Sequence, residues 1–151
     1  MVIKMDVITG TLLVFVTGVL ELWAAVPLGL AINLNPVIIG TASALGAILA
    51  AFLVTTVGDS IRERVIKWRY GKNKDLKNSK YYKIWNKYGI VGLGFISPLL
   101  FGAPVGAALG IALGARKKPL LIWMSIGIII WSAALTAAGF LGLVSFGIIK
   151  Y

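Results

Sequence analysis

From Val7 to Gly58 the chain runs for 52 residues with a single charge, Glu21, and with prolines at Pro27 and Pro36. One bilayer crossing takes about 20 apolar helical residues, so this run is too long for one crossing. Its prolines interrupt helix where a plain spanning segment would continue. A carboxylate facing lipid costs several kcal/mol, so such groups line a cavity or a path.

The rest of the chain keeps the same character. Apolar residues make up 59% of the 151, above the roughly half expected of soluble domains, and a membrane protein is the expectation. Two more runs are nearly uncharged, 89–115 and 119–149. Ten of the fifteen Lys and Arg lie between Arg62 and Lys87. The chain has no Cys and no His, which excludes disulfides, thiolate chemistry, Cys/His metal sites and His-based catalysis. With Asp6, Asp59 and Asp75 as the only aspartates, the usual intramembrane protease arrangements are missing, and the expectation is a non-enzyme without cofactor. Nothing at the N-terminus reads as a cleaved leader.

The organisation reads as one membrane domain in three parts: 1–58, a polar stretch 59–88, and 89–151. Residues 7–20 form a short helix. Residues 21–36 are too apolar for a solvated loop. Irregular backbone at membrane depth is tolerated where protein or a water-filled cavity surrounds it, so 7–35 is expected to be a hairpin turning near Pro27. The alternative is a full helix over roughly 5–25 with 26–36 as a short loop. Residues 37–58 form a span that opens on Pro36, with Gly40, Ala44, Ala47 and Ala51 on one face. A helix restarts at the Ser60–Glu63 capping box, with Ile61, Val65 and Trp68 on one face. Gly71–Ser79 is a loop, and Lys80–Tyr88 interleaves basic and aromatic residues as membrane-interface belts do. Anionic lipid headgroups fit this stretch better than nucleic acid.

Residues 89–115 carry no charge. Pro98 and Pro104 break the backbone, so a second hairpin is expected to turn between them. Gly102, Gly106, Gly110 and Gly114 recur every four residues, a strip for close helix contact. The basic knot Arg116–Lys118 follows, and 119–149 forms a last span.

The two parts match weakly when Pro27-Leu28-Gly29 is laid over Pro104-Val105-Gly106, which sets Glu21 opposite Pro98. The positive-inside rule puts 59–88 in the cytoplasm. Two hairpins then bring Arg116–Lys118 to that side as well, whereas four plain spans leave the triplet outside. The expected fold is therefore all-α and integral to the membrane: an inverted repeat, each half a re-entrant helical hairpin plus a transmembrane helix. Four simple transmembrane helices are the alternative.

The segment ELWAAVPLGLAINLNP, with Glu21, Pro27 and Gly29, resembles the signature of the small multidrug export protein family. FISPLLFGAPVGAALGIALG is similar to that family's second Pro/Gly-rich segment. The resemblance extends to DedA-like (VTT-domain) membrane proteins, which implies two re-entrant hairpins and the movement of lipids or polyprenyl phosphates. It makes Glu21 the hairpin acid and sets Arg116 in place of a DedA-type arginine. The DedA pattern of an arginine beside a hairpin proline is absent, since neither Pro98 nor Pro104 has a charged neighbour.

These readings converge on a small transporter in a prokaryotic plasma membrane, proton-coupled, moving an amphipathic or phosphate-lipid substrate. Glu21 reads as the coupling acid, because burial works against the charged form of a carboxylate. Pro27, Gly29, Pro98 and Pro104 would shape the site, with Asn33 and Asn35 supplying neutral hydrogen bonds. Arg116, Lys117 and Lys118 would hold a phosphate headgroup. The alternative function is a non-catalytic membrane scaffold. Two spans and two hairpins enclose little by themselves, so a homo-oligomer is expected, with Gly102–Gly114 or the Gly40/Ala44 face near the contact.

Overall fold

The computed structural model describes residues 6–70 and 89–145, with side chains in the first stretch described as far as Gly58. The expected loop at 71–79, the basic-aromatic stretch 80–88 and the side chains of the 59–70 helix lie outside the described residues. Six helices are described: α1 (Val7–Leu20), α2 (Leu22–Ala31), α3 (Pro36–Tyr70), α4 (Ile90–Leu100), α5 (Ala103–Ala112) and α6 (Lys117–Ser145). Only two are long and apolar enough to cross a membrane, through Pro36–Gly58 of α3 and Lys117–Ser145 of α6. The other four have 10 to 14 residues, about 15–21 Å each, short of the hydrocarbon thickness. Four plain spans would need four long helices, and the described residues hold two. Large apolar side chains cover the outside, among them Ile8, Leu20, Val37, Phe52, Ile122 and Ile129, a surface suited to lipid rather than water.

The first break is not at Pro27. That residue lies inside α2, where proline costs one i→i−4 hydrogen bond. Instead a single residue, Glu21, takes extended backbone angles (φ −145°, ψ 111°) between α1 and α2. The chain doubles back there: a Cβ built on Gly10, eleven residues before Glu21, would lie 3.1 Å from Ile32, eleven residues after it. The second break falls at Phe101–Gly102, between the two prolines as expected. Leu93 and Gly110 face each other across it. The Ser60 restart does not occur either, since α3 continues unbroken from Pro36 to Tyr70.

The halves share one register. The buried residues of α2 are Leu22, Ala25, Val26, Gly29 and Leu30, and those of α5 are Ala103, Gly106, Ala107, Gly110 and Ile111, each 81 positions later. All six buried residues of α6, from Leu120 to Thr136, stand 81 positions after buried residues of α3. In α1 and α4 the spacing is 80 (Gly10, Val14, Gly18 against Ile90, Gly94, Pro98), because the second break has one more residue. The turns into the long helices are the same motif. Asn33 N–H donates to Leu30 and Leu34 N–H to Gly29; Gly114 N–H donates to Ile111 and Ala115 N–H to Gly110. Asn33 (φ 55°) and Gly114 (φ 88°) take the left-handed position that this helix ending requires. The overlay of Pro27 on Pro104 is therefore out of register by four residues, and Glu21 lies opposite Gly102, not Pro98. The buried small residues set the register, and the prolines fall at unrelated positions within it.

Packing obeys the same exchange. α1 on α3 answers to α4 on α6, α3 on α5 to α6 on α2, and α1 on α5 to α4 on α2. Glycines make the closest crossings. Gly18 and Gly46 let α1 lie on α3 backbone to backbone, and Gly94 and Gly127 do the same for α4 on α6. α3 and α6 run antiparallel: Gly40 lies by Thr136, while Lys117 Nζ is 3.5 Å from the Thr56 carbonyl. Near the first of these contacts the Ser132 hydroxyl donates to Gly40 O (2.7 Å) and accepts from Ser43 Oγ (3.0 Å). The four glycines Gly102, Gly106, Gly110 and Gly114 do not form one helical strip. Gly102 caps α5, Gly114 sits in the turn, Gly106 packs on Ser97 and Gly110 on Leu120. All four make contacts within the chain.

A Cβ on Gly46 would collide with the Phe15 carbonyl and approach Val19 N to 2.9 Å. Gly46→Ala is expected to destabilise the protein by about 1–3 kcal/mol. Gly142→Ala, with open space around it, is expected to be neutral or slightly stabilising. Denaturation of both variants in detergent checks the pair.

Candidate functional site

The two breaks meet. A Cβ built on Gly102 would lie 3.2 Å from the Leu20 carbonyl, 3.7 Å from Glu21 Cδ and 3.8 Å from Glu21 Oε1. Val19, two residues before Glu21, touches Gly46, near the middle of the Pro36–Gly58 span. The junction therefore sits near the middle of the Pro36–Gly58 span.

Each break is also a helix start. Glu21 occupies the N-cap position of α2 and Gly102 that of α5, with Pro104 in the first turn of α5. The Glu21 side chain does not bond its own helix, and Gly102 has none to do so. The first intrahelical bonds are Ala25 N–H to Glu21 O and Gly106 N–H to Gly102 O. The N–H groups of Leu22, Trp23 and Ala24 and those of Ala103 and Val105 have no acceptor among the described residues. Two positive helix ends thus converge on one half-buried carboxylate. Such a junction can hold an anion at the N–H groups or bring a proton or cation to Glu21.

Gly102 has φ 77° and ψ 162°, a region open in practice only to glycine. The extended angles of Glu21 are ordinary for any residue, so nothing local marks the first break. Gly102 was read as helix packing in the sequence; its position after Phe101 and two residues before Pro104 was the available signal for a cap.

The other expected residues divide into separate places. Pro27 and Asn33, with Trp23, Leu30, Leu135 and Gly139, line a cavity of about 550 Å³ between α2 and α6. Gly29 is structural: a Cβ there would lie 2.7 Å from Ile39. Asn35 caps α3, its Oδ1 accepting from Val37 N–H at 2.9 Å. Pro98 is buried in α4. Arg116 and Lys117 open α6 beside Thr56, twenty residues along α3 from Pro36, which is about 30 Å of helix. The asparagines and the basic pair therefore sit at opposite ends of the long helices and do not share one site. Trp23 carried no signal beyond lying two residues after Glu21.

Gly102→Ala is expected to cost about 1–3 kcal/mol, from backbone strain at φ 77° and a tight approach to the Leu20 carbonyl. The change in denaturation midpoint against the Gly142→Ala control measures it.

No curated protein and no solved structure matches the chain. The family described as "Putative small multi-drug export protein" matches residues 21–134. The match begins at Glu21 and takes in both helix breaks. It covers three quarters of the chain, and the chain belongs to that family.

Proposed function

We propose that the chain is a small secondary transporter of the multi-drug export type, with the Glu21–Gly102 junction as its coupling site. The observation that carries this reading is the convergence of two helix breaks on the one acid of the apolar segments, near the middle of the Pro36–Gly58 span. Transporters bind substrates and ions where half-helices end near the midplane, between repeats of opposite topology. Here α3 and α6 run antiparallel and the halves exchange through common contacts. In a bilayer this makes each half a re-entrant hairpin plus a span, inverted relative to the other.

Glu21 takes up and releases a proton as the substrate moves, so the chain works as a carrier and not as a catalyst. The substrate is amphipathic. A phosphate-lipid version of it would meet Arg116, Lys117 and Lys118 at one membrane face, and the kinship to DedA-like proteins belongs to this version. One contact supports the side assigned to the triplet. Lys117 lies by Thr56, at the end of the α3 span that leads into the basic stretch 59–88. Both then face the cytoplasm of a prokaryotic cell, where anionic headgroups meet the basic stretch. Copies of the chain pair through lipid-facing surface such as that beside Gly40 and Ala44, since the glycines of α5 are occupied internally.

Flux of an amphipathic dye into proteoliposomes under an imposed proton gradient tests the reading. Glu21→Gln is expected to lower gradient-driven flux by at least about tenfold with folding unchanged. Equal flux in wild type and variant would overturn the role of Glu21. For topology, a single cysteine at Lys117 is expected to react with an impermeant thiol reagent from the cytoplasmic side. Reaction only from outside would remove the inverted arrangement.

A further inference from the structure

The repeat gives each interface an internal reference, and one pair of equivalent interfaces is unequal. α5 lies on α3 as α2 lies on α6. At the first, Gly58 is buried, and a Cβ on it would meet three atoms of Ile111 at 3.0–3.4 Å. At the second, the equivalent Gly139 is half-buried, and its Cβ would meet one atom within 4 Å, the flexible tip Cδ1 of Leu30 at 2.5 Å. Ile111 and Leu30 are themselves 81 positions apart. So α5 closes on α3, while α2 touches α6 through a side-chain tip. Between α2 and α6 opens the cavity of about 550 Å³.

That volume is the size of a small-ligand site. Among the described residues its lining is apolar apart from Asn33 and Trp23, and none of them is ionisable. Leu143 and Asn33 lie at one end, away from Lys117. Trp23, two residues from Glu21, lies toward mid-length. A charged body would lose its hydration there without a partner, so the lining selects an apolar body with a neutral hydrogen-bonding head.

We propose that the α2–α6 cavity binds the apolar chain of a neutral-headed amphiphile, its head at Asn33 on the face opposite the basic triplet. This deepens the transport reading and rests on it for the membrane side. Among the described residues the two equivalent interfaces thus differ: a cavity opens on the Asn33 side of α2 and α6, and α5 packs closely on α3 at Gly58 and Ile111.

The native chain has no Cys, so Ala31→Cys, on the cavity wall, carries a single trifluoromethyl label. The protein is placed in nanodiscs of phosphatidylglycerol and phosphatidylethanolamine, and dodecyl maltoside is added below its micellar concentration. A saturable ¹⁹F shift is expected. Ala138→Phe, which fills the cavity from an exposed wall position, is expected to weaken apparent affinity by about tenfold or more. Leu135→Trp should do the same, and Val54→Trp, its equivalent at the closed interface, should not. A shift that never saturates, showing only bilayer lipid in the cavity, would overturn the proposal; so would equal affinity in Ala138→Phe and wild type. Saturable binding together with flux independent of Glu21 would remove the transport reading and leave this site standing. Glu21-dependent flux without saturable binding would do the opposite.

Discussion

A backbone break inside an apolar membrane segment exposes N–H groups that lipid cannot satisfy. Everything distinctive in this fold follows from having two such breaks and bringing them together. Glu21 interrupts the first half and Phe101–Gly102 the second. Their contact gives each break a protein surface in place of lipid. It also concentrates the unpaired first-turn N–H groups of α2 and α5 in one place, where an anion or an acceptor group of a substrate can answer them.

Holding the breaks in register requires α1 and α4 to lie very close to the long helices. Gly18 against Gly46, and Gly94 against Gly127, allow that approach, and van der Waals packing of this kind is the main attraction between helices in lipid. The long helices are tied in turn by the Ser43–Ser132–Gly40 hydrogen bonds. The polar contacts are few and most are local. Trp131 Nε1 donating to Phe95 O at 2.8 Å fixes α4 on α6, and Lys117 reaches Thr56. Shape complementarity of small residues therefore carries most of the assembly.

The sequence made the long helices legible, because 37–58 and 119–149 are apolar over a full bilayer thickness. It also showed that something interrupts 7–36 and 89–115, because proline and glycine cluster there. It did not show where. Pro27 drew the first turn six residues too late. A proline within a short helix is tolerated when its neighbours pack well, whereas Glu21 breaks the chain in a conformation open to any residue. The same bias misaligned the repeat: matching proline to proline hid a register written in Gly29 and Gly110, Ile39 and Leu120. Glu21 itself stood out as the lone acid of its segment. Its partner Gly102 did not, since one glycine among many reveals its positive φ only in the fold.

The register explains why the acid is present once. Glu21 and Gly102 are equivalent positions that touch, so they sit where the two halves exchange. A carboxylate on both would place two like charges against each other in an apolar setting, and one would have to stay protonated. A side chain at 102 would be strained by the positive φ and pressed against the Leu20 carbonyl, beside Glu21. The chain thus has room for one acid at its pseudo-axis, and glycine opposite it creates that room. The departure from symmetry at the centre has its counterpart further out, where α5 packs closely on α3 at Gly58 while a cavity opens between α2 and α6. A symmetric scaffold would need neither difference, and both agree with the carrier proposed above.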